Sequence, residues 1–334
     1  MRSVVEAFHA IMTSRVPIGI STLVLLLIAC GGLRLISPPP PTATPTSTLS
    51  PSPSPTYATV TPILFPTYTP TVPPTETPVP TLTFLPTLTP EPAWVMQGPG
   101  DVIVPILLYH HIGFSLDEDE SIYYVSPAAF DQQMNLLYQW GYKTISVELL
   151  ARAISQGAEL PPKPILLTFD DGGETTYTTA LPILQRYGFT GVCYIVYHYV
   201  GLTHYMDVNQ IRALHAAGWE IGSHGLSHRD LTVYPEKQEN EIVRSRRQLE
   251  SLLGVPVISF AYPFGASDES SLGYVEFAGY IAGMGLGNES VQGLKNLLYL
   301  SRQVVRGTED LQAFASHLPW REEVYDLPPV TIVP

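Results

Sequence analysis

Cysteine is almost missing from this chain: its 334 residues hold two, Cys30 and Cys193. That excludes a disulfide framework, so the fold has to rest on a buried core. Cys193 lies within an apolar run, where it is expected to pack as a small hydrophobe. Basic residues are also scarce, 17 Lys and Arg against 30 Asp and Glu, for a net charge of -13. This balance argues against binding to nucleic acid or to an anionic membrane surface as the function. No internal repeat is visible. No apolar run reaches the roughly twenty residues of a comfortable bilayer span.

The nearest to one is residues 16–30, an uncharged apolar stretch behind Arg2 and Arg15. It has the layout of a secretory signal and ends in Leu27-Ile28-Ala29-Cys30-Gly31. This ending resembles a bacterial lipobox, in which Cys30 would become the acylated first residue of the mature protein. The competing reading is an uncleaved signal anchor that runs on through Leu33 and stops at Arg34. Either way residues 1–30 form the signal or anchor, and the rest of the chain is expected on the extracellular side of the membrane.

From residue 31 to about 98 the composition turns to Pro, Thr and Ser, and this segment carries more than half of the 33 prolines. Proline lacks an N–H donor and resists helices and central strands, so the segment reads as an extended, largely disordered linker. At about 3.1 Å per residue its proline-rich part could reach on the order of 150 Å. A spacer of that reach suits a domain tethered at a surface.

Residues 99–320 are enough for one β/α barrel, with 321–334 left as a tail. Helical patterns run from Ser126-Pro127 to Trp140, from Ser146 to about Gly157, and over 176–187, 207–217 and 235–253, with N-cap residues at several starts. Short apolar strands fall between them, near 164–169, 191–196, 219–223, 257–261 and 299–305. The alternation gives an α/β fold with a mostly parallel sheet and helices outside.

Two clusters sit at the ends of these strands. Thr168-Phe169-Asp170-Asp171-Gly172 follows one, and Ser223-His224-Gly225-Leu226-Ser227-His228 follows another. Taken alone, Asp-Asp-Gly after a strand is commonly an Asx turn, and a His-x-x-x-His pair is a weak metal signal. Together they supply one spare carboxylate and a set of one carboxylate and two imidazoles. Those are ligand types of a hydrolytic zinc site with open positions.

With Phe260-Ala261-Tyr262-Pro263-Phe264-Gly265 added in the same order, residues 102–318 resemble the polysaccharide deacetylases of the NodB-homology type, carbohydrate esterase family 4. The resemblance implies a distorted, incomplete (β/α) barrel of about seven parallel strands. It also implies a divalent metal, zinc first and cobalt or nickel as options, and removal of acetyl groups from an acetylated polysaccharide. Residue by residue it makes Asp171, His224 and His228 the metal ligands and Asp170 the catalytic base. The Phe264 N–H becomes the oxyanion donor, and Tyr262 and Pro263 form the loop beside the substrate.

The opening strand, Ile106-Leu107-Leu108-Tyr109-His110-His111-Ile112, resembles the circularly permuted branch, in which a Tyr-His element supplies the general acid. His110 matches that histidine. Strand alternation turns His111 to the opposite face, where a hydrogen-bonded structural role suits it better.

Three departures stand out. Ala261 occupies a place where the family commonly has arginine, and Arg302, at another strand end, is a candidate substitute. No Asp-x-x-Asp-Trp element is recognisable near 280–284, and Gly225 replaces the usual Ser or Thr after the first histidine. His198, His204, His215 and His317 match no motif and are assigned to surface or loop roles. The expected activity is N-deacetylation of an N-acetylglucosamine polymer by a monomer. An O-acetyl esterase on xylan-like glycan and a non-catalytic glycan-binding module are the alternatives.

Overall fold

Five short strands buried along their whole length dominate the computed structural model, which describes residues 93–324 except 116, 118 and 119. Cys30, the signal or anchor segment and nearly all of the linker lie outside the described residues. Among the described residues no helix is long and apolar enough to cross a membrane.

The main sheet has seven parallel strands: β1 (Ile106–Tyr109), β2 (Pro164–Phe169), β3 (Val192–Ile195), β4 (Glu220–Ser223), β5 (Ser259–Ala261), β6 (Ala282–Met284) and β7 (Gln303–Val304). Their spatial order is β6-β5-β4-β3-β2-β1-β7, and the sheet curls into a half-barrel. Near-continuous apolar strands suit such a sheet, because both of its faces are covered. A two-residue strand, Lys143–Thr144, runs parallel to the start of β2. The chain entering β7 also reaches the far edge: Leu300 N donates to Gly283 O at 2.7 Å, and Gly285 N donates to Leu300 O at 2.9 Å.

Helices α1 (Pro127–Gln139), α2 (Val147–Gln156), α3 (Leu181–Arg186), α4 (Val208–Ala216), α5 (Ser245–Leu253), α6 (Glu269–Phe277) and α7 (Leu311–Ala315) complete the described residues. Ser126, Ser146 and Asp207 cap α1, α2 and α4 by accepting N–H bonds from Ala129, Leu149 and Gln210. The helical patterns at 176–187 and 235–253 are broken in the structure. Each contains a π-helical turn, Thr176–Ala180 before α3 and Asn240–Arg244 before α5. At the first of these, Pro182 has no N–H to give to residue 178, which leaves room for the wider turn.

The domain also begins earlier than the composition suggests. Val95–Gln97, which composition groups with the linker, pair antiparallel with Ala158–Leu160. The proline signal ends at Pro92, and Trp94-Val95-Met96 are good strand formers.

Alternation divides the core into two layers. Leu167, Phe169, Cys193, Ile221 and Phe260 face outward against the helices. Leu166, Val192, Tyr194, Ala261, Ala282 and Met284 fill the inside. Gly222 lies opposite Tyr194 in register, and a Cβ there would run into the Tyr194 ring. Gly222→Ala is therefore expected to destabilise the domain by about 1–3 kcal/mol through overpacking. A lowered urea midpoint in the metal-free protein checks this, and an unchanged midpoint refutes it.

Candidate active site

The carboxyl ends of β1, β2, β4, β5 and β7 converge on one cavity of about 940 Å³. At the end of β2, Asp170 N donates to Tyr109 O at 3.0 Å, so Asp170 keeps the sheet's alternation, and it is buried. Asp171 then enters the left-handed region at φ 70. Asp tolerates that conformation, and the turn sends the second carboxylate in a different direction from the first. His224 follows β4 directly and is buried. Its Nδ1 lies 2.7 Å from Ala261 O. A carbonyl can only accept, so Nδ1 carries the hydrogen and Nε2 is left with a lone pair.

These groups meet at Asp171 Oδ1, which is 3.3 Å from His228 Nε2 and 3.6 Å from His224 Nε2. Asp171, His224 and His228 offer ligand atoms that all lie within 4.8 Å of one another. Donor atoms this close together could hold one metal ion between them. Asp171 Oδ1 is buried with no hydrogen-bond partner, an orphan that a cation would satisfy. Burial pushes the Asp171 carboxyl up to about 6 and the His224 imidazole down to about 3. At neutral pH the set is therefore mainly one anion and neutral imidazole, the ionisation that metal binding needs.

Asp170 has a different partner. Arg302, itself fully buried, forks onto it, with Nη1 donating to Oδ1 at 2.7 Å and Nη2 to Oδ2 at 2.8 Å. Arg302 Nε donates to Gly285 O at 3.0 Å, and the guanidinium lies over the Tyr194 ring. The arginine thus reaches Asp170 from β7, and the small side chain of Ala261 leaves the inside of β5 open. Burial acts to raise the Asp170 carboxyl, but the Arg302 guanidinium beside it outweighs that and holds the group at about 2.

His110 lies on the inner face next to both aspartates, and its charge lowers both carboxyls. Its Nδ1 is buried and unpartnered. His111 stacks on Tyr124 at 4.5 Å and packs against the Gly173 backbone; burial lowers its imidazole to about 4. Phe264 is in a left-handed conformation at φ 60, with its ring edge-on to His228 and 63% exposed. Pro263 is buried behind it. Tyr262 differs from a simple loop contact: its ring packs against Phe260 and its hydroxyl donates to Leu298 O at 3.0 Å, so the side chain serves the core.

The cavity has walls that no motif marks, including Tyr123, Tyr124, Thr175, His204 and Tyr205. His204, assigned above to a surface or loop role, sits in a loop pinned to the aspartate turn. Glu174 N donates to His204 O at 2.8 Å, and Met206 N donates to Gly172 O at 3.0 Å. Local sequence carries no sign of this pairing, because it depends on where the two loops meet.

Fold and site together define a curled parallel half-barrel with a carboxylate–imidazole cluster at the carboxyl end of its strands, a hydrolase architecture. Residues 157–283 match the polysaccharide deacetylase family of hydrolases. The structure of the Streptococcus pyogenes deacetylase PplD in complex with acetate is similar at a TM-score of 0.59 and 28% identity, covering 65% of this chain and 98% of that one. A polysaccharide deacetylase from Bacillus cereus is similar at a TM-score of 0.58 and 27% identity, over 65% of this chain and 69% of that one. The Staphylococcus aureus poly-beta-1,6-N-acetyl-D-glucosamine N-deacetylase is 24% identical over 207 residues, 58% of this chain and 71% of that one.

Breaking the Arg302–Asp170 pair has two expected consequences. Arg302→Met leaves a buried carboxylate uncompensated and should cost about 3–5 kcal/mol of stability. Burial then dominates and raises the Asp170 carboxyl, so the acid limb of the pH–rate profile moves to higher pH. In the unaltered protein the folded pKa lies below the unfolded one. The pair's stabilisation is therefore complete above about pH 4 and is lost as pH falls toward about 2, a slope that the variant should lack. Urea midpoints and initial rates measured against pH check both.

Proposed function

We propose that the domain removes N-acetyl groups from an N-acetylglucosamine-containing polysaccharide of the cell wall or extracellular matrix, with a divalent metal, zinc first, held by Asp171, His224 and His228. The observation that carries this is the division of labour between adjacent aspartates. Asp171 shares an orphaned oxygen with two imidazoles, while Asp170 is locked to Arg302 and kept ionised. The name of the Staphylococcus aureus relative supports the choice of glycan.

A metal bound there supplies Lewis-acid chemistry, drawing electron density from the acetyl carbonyl and making water more acidic. Asp170 takes a proton from the attacking water and is held in position for this by the fixed guanidinium fork. The Phe264 N–H, presented by a left-handed backbone, donates to the carbonyl oxygen as negative charge develops on it. His110 gives a proton to the departing amine nitrogen as the C–N bond breaks, and acetate is left. Cys30, the linker and a place outside the cytoplasm belong to the same proposal, and the sequence alone supports them.

Acetate release from chitin oligosaccharides, poly-N-acetylglucosamine and peptidoglycan, with zinc and with chelator, tests the reading. Chelator-sensitive release that Asp170→Asn abolishes is expected. His110→Ala should slow amide cleavage far more than cleavage of an O-acetyl ester, whose alkoxide leaves with less need of a proton. Release from O-acetylated xylan alone would transfer the assignment to the esterase. No release from any glycan, with binding intact after Asp170→Asn, would make the domain a binding module.

A further inference from the structure

The segment His224-Gly225-Leu226-Ser227-His228 has to bring two imidazoles to one point within five residues. It does so with two left-handed residues, Gly225 at φ 85 and His228 at φ 55. A non-glycine residue in that region costs of order 1–3 kcal/mol, and such a backbone persists only when its surroundings hold it. One side is held by backbone: Tyr197 N donates to Gly225 O at 3.1 Å and His198 N to Leu226 O at 2.9 Å. On the other side Gly225 N donates to Ser223 Oγ at 3.3 Å, and Glu241 takes the donors that follow.

Glu241 is buried, at 3% exposure. Its Oε2 accepts from Leu226 N and from Ser227 N, each at 2.8 Å, and its Oε1 accepts from Ser227 Oγ at 2.5 Å. Arg229 Nε stands 3.9 Å from Oε1 on the exposed side. The carboxylate thus takes three charge-assisted bonds from residues lying between the two histidines. A Cβ on residue 225 would lie 2.8 Å from Glu241 Oε2. The left-handed φ of 85 already favours glycine at this position, and the carboxylate packs directly against the space a Cβ would take. Glu241 is delivered by the π-helical turn Asn240–Arg244, and such turns recur at functional sites.

We propose that Glu241 is a positioning residue that sets the spacing and direction of the His224 and His228 ring nitrogens, and through them the affinity of the site for metal. This rests on reading Asp171, His224 and His228 as the ligand set. Removing the carboxylate leaves three donors without their acceptor and lets the left-handed backbone relax, which moves the imidazoles apart. Outer partners of metal ligands typically govern 10–100-fold in metal affinity.

The test is zinc binding by the full chain in competition with a chromophoric chelator, alongside metal-free thermal melting, for the unaltered protein and for Glu241→Ala, Glu241→Gln and Ser227→Ala. Glu241→Ala is expected to bind zinc about 10–100-fold more weakly. Glu241→Gln, whose amide oxygen can still accept the two backbone N–H bonds, should fall between it and the unaltered protein. Deacetylase activity lost at limiting zinc should return in excess zinc. A merely structural role would lower the metal-free melting temperature and leave the zinc affinity of the folded protein untouched, which overturns the proposal. Should Glu241→Ala fail to fold, Ser227→Ala decides, and unchanged affinity there also overturns it. An unaltered chain that binds no zinc would sink the ligand assignment itself, and the proposal with it.

Discussion

The buried fork between Arg302 and Asp170 is the constraint on which the rest of the site depends. A carboxylate at the inner end of a parallel strand is costly to ionise, since burial alone would raise its pKa. The guanidinium reverses that balance with two short parallel bonds, while its Nε donates to the Gly285 carbonyl and Nη1 also reaches Thr168 Oγ1. Because the arginine arrives from β7, only β1 separates it from β2, and the guanidinium spans that one strand to reach Asp170. The bonds between Leu300 and the backbone around β6 carry the chain from the far edge of the sheet into β7. Fold geometry and the protonation state of one aspartate are in this sense the same problem.

The two adjacent aspartates show how little backbone is needed to separate two chemical roles. Asp170 continues the strand and meets a cation that is covalently part of the protein. Asp171, one left-handed residue later, meets the His224 and His228 imidazoles and keeps an oxygen with no hydrogen-bond partner. Burial acts on both, yet one carboxyl ends near 2 and the other near 6. The difference lies in the neighbours and not in the residue type. The tautomer of His224 completes the arrangement, since the Ala261 carbonyl claims its Nδ1 hydrogen. Ala261 therefore matters through its backbone, and its small side chain leaves space inside the barrel.

Much of the scaffold was legible from period and punctuation. Ser126-Pro127, Ser146 and Asp207 mark helix starts because their side chains satisfy free N–H groups, a local effect. Apolar runs such as Pro164–Phe169 announce buried parallel strands. The π-helical turns inside the expected helices at 176–187 and 235–253 were not legible, because local propensity does not separate a π turn from an α turn. Val95–Gln97 read as linker by composition, because a three-residue strand has too little pattern until its partner at 158–160 is known.

The sequence by itself determined which chemical groups are available and in what order: two aspartates after one strand, two histidines after another, and an arginine and a histidine at further strand ends. It did so because strand ends and tight turns are local features with local causes. Only the tertiary structure decided who meets whom. Arg302 faces Asp170 across 132 residues of chain, His224 gives its hydrogen to Ala261, Glu241 holds the histidine loop, and His204 joins the cavity wall. Those pairings depend on the curl of a seven-stranded sheet and on the loops it brings together. Neither is encoded in any window of sequence short enough to carry a motif.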